Sequence, residues 1–246
     1  MPLVTAIIFS GGTGSRMNSR ALPKQFLNMH GKPIIIHTLE KFERHAEVDN
    51  IVVACLASWI DYLNDLIERY NLKKVSAVVP GGDSAQMSVH HALCEAERIA
   101  GGERTIVLIH DGVRPLINDR LISENIASVR AHGSAITSVK VKETVLIVED
   151  GNETAIASVP NRASTRLARA PQSFWLDDIL SMQRRAIAEG VGDFIDSCTL
   201  MQHYGQTLYL VDGPLENIKI TTPDDFYTMR ALLDAKENSQ IYGFEE

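Results

Sequence analysis

The glycine-rich segment Ser10–Met17 directly follows an apolar run near the start of the chain. Small residues after a strand let backbone N–H groups approach a phosphate closely, and Arg16 adds a fixed positive charge. Two familiar nucleotide-binding patterns do not match: G-x-G-x-x-G requires glycine at the position of Met17, and the Walker pattern requires a Gly-Lys pair that the segment lacks. The segment predicts a phosphate-binding loop of another type, and a glycine-rich turn without a ligand is the alternative.

Lys24 follows Pro23 in the next predicted loop. A lysine in a loop is usually a solvated surface charge. Because this one comes shortly after Arg16, the sequence predicts that both cations contact the same phosphates.

Polar clusters also follow two later apolar runs. Pro80–Ser84 precedes a predicted helix that carries Ser88, and His110–Pro115 ends the fourth run. In an open parallel sheet, ligands bind beyond the carboxyl ends of the strands. We therefore expect these clusters and Ser10–Met17 to line one crevice.

Asp111 is the most suitable candidate for a magnesium ligand in the second cluster. A carboxylate at the end of a strand can hold Mg²⁺ close to the oxygens of a nucleotide. His110, beside it, is predicted to be an interior histidine and not a catalytic group.

The elements that must position these residues alternate along the chain. Short runs rich in β-branched residues predict strands at Leu3–Phe9, Ile51–Ala54, Val75–Val79 and Thr105–Ile109. Apolar residues at three-to-four spacing predict helices within Ile34–Phe42 and Ile60–Tyr70. The alternation predicts an α/β fold, with a mostly parallel twisted sheet and helices on both faces.

The second half adds a hairpin and a final helix. Alternating polarity in Lys140–Val148 and Thr154–Val159, around the turn Asp150–Gly151, predicts a hairpin that projects from the sheet or lies at its edge. Asn217–Thr221 predicts a strand, and Thr222 should cap the helix that begins at Pro223. No linker or repeat is visible, so we expect one domain over residues 1–246 with an arm at about 139–160.

Composition excludes several classes of protein. The 246 residues are 45% hydrophobic and 22% charged, which is typical of globular proteins and excludes disordered and fibrous chains. A net charge of −7 gives no overall attraction to nucleic acid or anionic membrane. The run Val4–Phe9 is too short for a membrane span, and three scattered cysteines (Cys55, Cys94 and Cys198) are expected to be reduced thiols in the cytoplasm.

Six motifs in order resemble the cytidylyltransferases that act on polyol phosphates, and the resemblance covers essentially the whole chain. The motifs are Gly11-Gly12-x-Gly14-x-Arg16-Met17, Pro23-Lys24-Gln25, Gly81-Gly82-Asp83, His110-Asp111-x-x-Arg114-Pro115, Pro171-Gln172-x-Phe174 and Asn217-Ile218-Lys219-Ile220-Thr221-x-Pro223-x-Asp225. The resemblance implies a Rossmann-like nucleotidyltransferase fold. It also implies CTP as a substrate, Mg²⁺ or another divalent cation as cofactor, and a polyol phosphate as acceptor.

Finer similarity favours the ribitol-5-phosphate branch of that family. It is carried by Leu22–Leu27, Lys32–Thr38 and Pro171–Phe174. The branch makes CDP-ribitol for teichoic acid or capsule synthesis. The methylerythritol-phosphate branch of isoprenoid synthesis is the alternative, and a nucleotide-binding regulator without catalysis is a third hypothesis.

The resemblance also implies roles for matching residues. Arg16 and Lys24 would stabilise the transition state at the α-phosphate, and Arg162 and Lys219 would position the polyol phosphate, with Arg166 and Arg169 as alternatives to Arg162. Asp111 would also bind the metal, and Arg114 and Thr144 would contact the polyol phosphate. The residues implied to contact CTP are Ser10, Gly11, Gly12, Thr13, Gly14, Gly81, Gly82, Asp83, Ser88 and Asp111. In relatives the arm, which here carries Thr144, completes the site of a second subunit in a homodimer.

Three positions depart from the family pattern. Ser10 and Gly112 each replace an alanine, and Ala170 replaces a threonine before Pro-Gln.

Overall fold

A seven-stranded sheet with helices on both faces forms the centre of a computed structural model that describes residues 1–10, 22–192 and 194–242. The strands are β1 (Leu3–Ser10), β2 (Asn28–Met29), β3 (Lys32–Pro33), β4 (Asn50–Cys55), β5 (Val75–Pro80), β6 (Thr105–Asp111), β7 (Ser134–Lys140), β8 (Ile147–Glu149), β9 (Asn152–Ser158), β10 (Arg166–Trp175) and β11 (Leu210–Asp212). The helices are α1 (Ile34–Arg44), α2 (Ile60–Arg69), α3 (Ala85–Ala100), α4 (Asp119–His132), α5 (Leu176–Ala188), α6 (Ser197–His203) and α7 (Pro223–Tyr242).

The strand order in the central sheet is β11-β7-β10-β6-β1-β4-β5. Strand β10 is antiparallel to both of its neighbours, and every other pairing in this sheet is parallel. The predicted α/β fold with a mostly parallel sheet is therefore confirmed. The carboxyl ends of β1, β4, β5 and β6 consequently share one edge, where the polar clusters begin.

Apolar side chains cover both faces of the sheet. Ile8 of β1 packs into a layer with α1, α2 and α4, whereas the adjacent Ile7 packs into a layer with α3, α5 and α6. Successive residues of a strand point to opposite faces, so a strand buried on both sides is apolar throughout. This is the physical reason for the continuous apolar runs in the sequence.

Side-chain caps fix where several helices begin. Ser84 caps α3 by accepting a hydrogen bond from the backbone of Met87, and Gly101 ends that helix with φ +57°. The predicted start of α7 is also confirmed: Thr222 Oγ1 accepts from the backbone N–H of Asp225 at 3.3 Å, and helical residues begin at Pro223. No helix in the described ranges is both long enough and apolar enough to cross a membrane.

The predicted hairpin is present but shorter than expected. Strands β8 and β9 pair antiparallel around Asp150–Gly151 and form a sheet of their own, while Lys140 ends β7 of the central sheet. Most residues of β8 and β9 are exposed.

The predicted strand at Asn217–Thr221 is wrong. Asn217 bonds back to Pro214, Ile220 donates to Val113, and Thr221 donates to the Asp225 carboxylate. These partners belong to three different places, namely the preceding turn, the loop after β6 and the first turn of α7. The segment is therefore an irregular loop and not a strand in a ladder.

Candidate active site

A cleft of about 250 Å³ lies at the carboxyl ends of β1 and β6. Phe9 and Asp111 line it from these strands, and Lys219 lines it from the loop before α7. Further lining residues come from the first turns of α3, from Ala168–Ala170 and Gln172 of β10, from Gln183 of α5, and from residues 194–197. The cleft therefore occupies the edge at which ligands bind in open parallel sheets.

Asp111 is the buried centre of a charged cluster at one wall of this cleft. Its Oδ2 accepts from Arg114 Nε at 2.6 Å, and its Oδ1 accepts from Lys219 Nζ at 2.6 Å. Burial acts to raise the pKa of the carboxyl group, but the two cations hold it at about 2. The carboxylate is ionised at neutral pH, and the three residues together carry one net positive charge.

A loop residue connects this cluster to β10. Arg114 Nη1 donates to the Asn217 carbonyl at 3.0 Å, and the fully buried Asn217 side chain donates to the Ala170 carbonyl at 2.6 Å. These bonds fix the loop that carries Lys219 against β6 and β10. Asn217 belongs to one of the six motifs, but no role was predicted for it; the available signal is an amide side chain two positions before Lys219.

His110 is a structural neighbour of the cluster, as predicted. The ring is fully buried, and burial lowers its pKa to about 4. The ring is neutral at pH 7, and Nε2 donates to the Arg114 carbonyl at 3.1 Å. His110 thereby holds the turn that presents Arg114.

The segment after β5 has the close backbone packing that its glycines suggest. A Cβ atom at Gly82 would collide with Cβ of Met87, so only glycine fits there. Gly82 N–H donates to Ser88 Oγ at 3.0 Å, and the Ser88 hydroxyl donates to the Ser84 carbonyl at 2.9 Å. Gly81 is partly buried and Asp83 is exposed, and the helix that follows brings Ala85 and Gln86 to the cleft.

Lys24 is placed close to the end of β1 by its neighbour. Lys24–Phe26 forms one turn of 3₁₀ helix, and the buried Gln25 side chain donates to the Ser10 carbonyl at 2.8 Å. Gly11, Gly12, Thr13, Gly14 and Arg16 follow Ser10 directly and lie outside the described residues.

Two of the three departures from the family pattern touch each other. A Cβ atom at Gly112 would lie 3.2 Å from Cβ and 3.3 Å from Oγ of Ser10. The Gly112 backbone cannot easily retreat, because its carbonyl accepts from Thr38 and its N–H donates to Phe9. Glycine at position 112 therefore leaves room for both the Cβ and the hydroxyl of Ser10.

Residues of the arm and its base do not line the described walls of the cleft. Thr144 and Arg162 are exposed, and Arg162 Nη1 lies 3.4 Å from the Lys142 carbonyl oxygen. Arg166, the first residue of β10, pairs with Asp212. Of the three arginines considered for the acceptor in this segment, Arg169 is the one that lines the cleft.

The described residues do not fit a protein-built magnesium site. Each oxygen of Asp111 already accepts from a cation, so a metal there would face Arg114 and Lys219 at close range. No group of three or more histidine, cysteine or acidic side chains with metal-binding geometry occurs in the described part of the chain, and residues 11–21 contain no Asp or Glu.

Comparison with known proteins agrees with this architecture. The model of the family "IspD: 2-C-methyl-D-erythritol 4-phosphate cytidylyltransferase" matches residues 4–235. A ribitol-5-phosphate cytidylyltransferase of Streptococcus agalactiae serotype Ia is 55% identical over 96% of this chain and 98% of its own. A 2-C-methyl-D-erythritol 4-phosphate cytidylyltransferase of Clostridium botulinum is 36% identical over 94% of this chain and 97% of its own.

A solved structure shows the same fold. The 4-diphosphocytidyl-2C-methyl-D-erythritol synthase of Anaerococcus prevotii superimposes with a TM-score of 0.81 at 27% identity, covering 95% of this chain and 96% of the other. The resemblance found in the six motifs is thus confirmed over nearly the full length, and the chain belongs to the IspD family of cytidylyltransferases.

Proposed function

We propose that the protein transfers the cytidylyl group of CTP to D-ribitol 5-phosphate and releases pyrophosphate. Support for the reaction type comes from family membership and from the buried Asp111, which fixes Arg114 and Lys219 at the cleft. Support for the acceptor comes from the higher identity to the relative named for ribitol 5-phosphate, 55% against 36%.

In the proposed reaction, a phosphate oxygen of the acceptor attacks the α-phosphorus of CTP. A P–O bond forms, the bond to the pyrophosphate oxygen breaks, and CDP-ribitol results. The nucleophile is already an anion at neutral pH, so the enzyme needs no general base. The barrier is the approach of two anions, which positive charges fixed in advance can lower.

We assign these charges to four residues. Arg16 and Lys24 stabilise charge at the α-phosphate and on the leaving pyrophosphate, and Arg162 and Lys219 hold the acceptor phosphate. Asp111 acts by holding Lys219 and Arg114 in place, since both of its oxygens face these cations. Mg²⁺ or another divalent cation, if bound together with CTP, would supply further positive charge.

We further propose the other contacts. Ser10, the glycine-rich segment and Gly81–Ser88 bind CTP, in keeping with the close packing at Gly82. Arg114 and Thr144 contact the polyol phosphate. For Thr144 and Arg162 this requires a second subunit, because neither lines the described cleft of its own chain.

The arm supports a homodimer. Apolar side chains on or beside it are 46–57% exposed, namely Leu146, Ile147, Val148, Ile156 and Val159. A cluster of exposed apolar side chains is stabilised when another surface covers it. We infer that this surface belongs to a second copy of the same chain. Mass measurement in solution, before and after removal of residues 143–157, tests this; a monomeric wild type contradicts it.

We propose one catalytic domain in the cytoplasm whose product enters teichoic acid or capsule synthesis. Apolar layers that run across the whole sheet support the single domain.

A substrate panel tests the activity. Pyrophosphate release is measured with CTP plus either D-ribitol 5-phosphate or 2-C-methyl-D-erythritol 4-phosphate. We expect kcat/KM to be higher with the ribitol ester. Preference for the methylerythritol ester would assign the chain to the other branch, and turnover with neither ester would contradict a catalytic role on these acceptors.

A further inference from the structure

Arg169 is a charged residue of the cleft whose charge has no carboxylate partner among the described residues. It lines the same cavity as Asp111, Arg114 and Lys219. Its Nε is buried and lacks a hydrogen-bond partner in the described structure. A hydrogen-bond donor without a partner on a half-buried cation costs stability. We therefore expect the hydrogen-bond acceptor for this donor to be an atom of a bound molecule.

An irregularity in β10 places this side chain. The pairing with β7 runs from Ala168↔Ser138 to Gln172↔Ile136, so β10 advances four residues while β7 advances two. Arg169 lies in the extra length, outside the regular ladder. Bulges of this type redirect side chains, often beside active sites.

The acidic residues of the cleft are already engaged. Asp111 accepts from Arg114 and Lys219. Asp196 caps α6 through Thr199, and its other oxygen accepts from Gln172 at 2.9 Å. The positive charge of Arg169 thus remains uncompensated by these two groups, and together with burial the nearby Arg114 charge lowers its pKa.

The position of Arg169 in the sheet indicates which anion it meets. The segment Gly81–Ser84 follows β5, at one edge of the sheet, and the glycine-rich segment follows β1. Arg169 lies on β10, on the far side of β6 from both. Asn217, two residues before Lys219, donates to the Ala170 carbonyl, so the loop that carries Lys219 meets β10 beside Arg169. Arg169 is thus separated by β6 from the strands that precede the glycine-rich segment and Gly81–Ser84, although it shares one cleft with the first turn of α3.

We propose that Arg169 binds the phosphate of the acceptor, as a further cation beside Lys219. This inference rests on the proposed function, since it takes a polyol phosphate as the acceptor. The planar guanidinium group presents Nε and a terminal nitrogen on one edge, which matches two oxygens of a phosphate.

Steady-state kinetics of Arg169→Gln test the proposal. We expect the KM for D-ribitol 5-phosphate to rise about ten- to a hundred-fold, the range for a lost hydrogen bond to a charged group. The KM for CTP should stay near wild type and the melting temperature should not fall below it, and Arg169→Lys should recover part of the acceptor affinity because it restores the charge. An unchanged acceptor KM, or an increase confined to CTP, overturns the proposal.

Arg166→Gln is the matched control. It removes one positive charge from the same strand, but Arg166 pairs with Asp212 and does not line the cleft. We expect its acceptor KM to stay within about threefold of wild type; a rise equal to that of Arg169→Gln would indicate a general charge effect and overturn the proposal.

A probe that needs no turnover separates this inference from the proposed function. Inorganic phosphate should raise the melting temperature of wild type more than that of Arg169→Gln, since a ligand stabilises the state that binds it. Equal shifts overturn the role of Arg169. Turnover of ribitol 5-phosphate by the wild type is scored separately, so a wrong acceptor and a wrong binding residue give different results.

Discussion

Replacing Asp111 by asparagine should destabilise the protein strongly. Asparagine keeps the shape of the side chain but removes the negative charge that faces Arg114 and Lys219, each at 2.6 Å. Breaking a buried ion pair on one side typically costs about 3–5 kcal/mol. Arg114 is only 8% exposed, so its charge cannot be resolvated without movement of the turn that carries it.

Two controls separate this cost from a general charge effect. Lys219→Met leaves the Asp111–Arg114 pair intact and removes a side chain that is 37% exposed, so we expect a loss of about 1 kcal/mol or less. Asp212→Asn removes the carboxylate of the exposed pair with Arg166, and a similarly small change is expected.

Urea unfolding in the presence of a chelator measures these differences without a contribution from metal. If Asp111 is instead chiefly a metal ligand, Asp111→Asn will be as stable as wild type in the chelator, and its activity will require more Mg²⁺. That pair of results would refute the anchoring role.

The same carboxylate predicts a pH dependence. Its pKa in the folded protein is about 2, below the ordinary value of 3.8. A carboxyl group whose pKa is lower in the folded than in the unfolded protein stabilises the fold at pH values above its ordinary pKa. This stabilisation is lost as the pH falls towards the pKa of the folded protein. The stability difference between wild type and Asp111→Asn should therefore shrink between about pH 4 and pH 2, as followed by urea unfolding across that range; a constant difference contradicts the ion-pair account.

Two further predictions concern catalysis and packing. Lys24→Ala and Lys219→Ala should each lower the rate of pyrophosphate release by about 10²–10³ with the fold intact by circular dichroism, whereas the exposed Lys73→Ala should not; near-normal turnover would exclude the assigned role. Gly112→Ala should cost about 1–3 kcal/mol by overpacking against Ser10, and adding Ser10→Ala should restore part of that loss in a double-mutant cycle of urea midpoints. Strict additivity of the two changes would show that the positions are not coupled.

Local patterns were sufficient for most of the fold. The runs at β1, β4 and β6 predicted buried strands correctly, because a strand covered on both faces must be apolar at every position. The run at β5 also forms a strand, but it lies at the edge of the sheet and none of its residues is fully buried, so the prediction of burial was wrong there. The start of α7 was predictable because Thr222 and Pro223 act within one turn of the chain. The wrong strand at Asn217–Thr221 has the opposite origin: Ile220 donates to the carbonyl of Val113, which is far away in the sequence, and no local pattern identifies that partner.

Part of the candidate site was also predictable from the sequence, and part depended on contacts between distant residues. Asp111, Arg114 and Lys219 were identified from motif residues, but the pairing of all three was not visible in the sequence. The family resemblance favoured Arg162 as the acceptor ligand and left Arg166 and Arg169 as alternatives, whereas the bulge in β10 brings Arg169 to the cleft of its own chain.

The sequence by itself determined the α/β fold, the edge of the sheet where the candidate cleft lies, and the kind of charges found there. These features follow from the periodicity of apolar residues and from the residue types directly after each strand, and both signals lie within a few positions of the sequence. The tertiary structure decided which charges neutralise one another and which remain for a ligand. Arg114 bonds to Asn217 across 103 residues, and Gly112 leaves room for the side chain of Ser10 on β1. Such contacts depend on where the packed layers bring distant segments together, because ion pairing and steric fit act through space over a few ångströms and not along the chain.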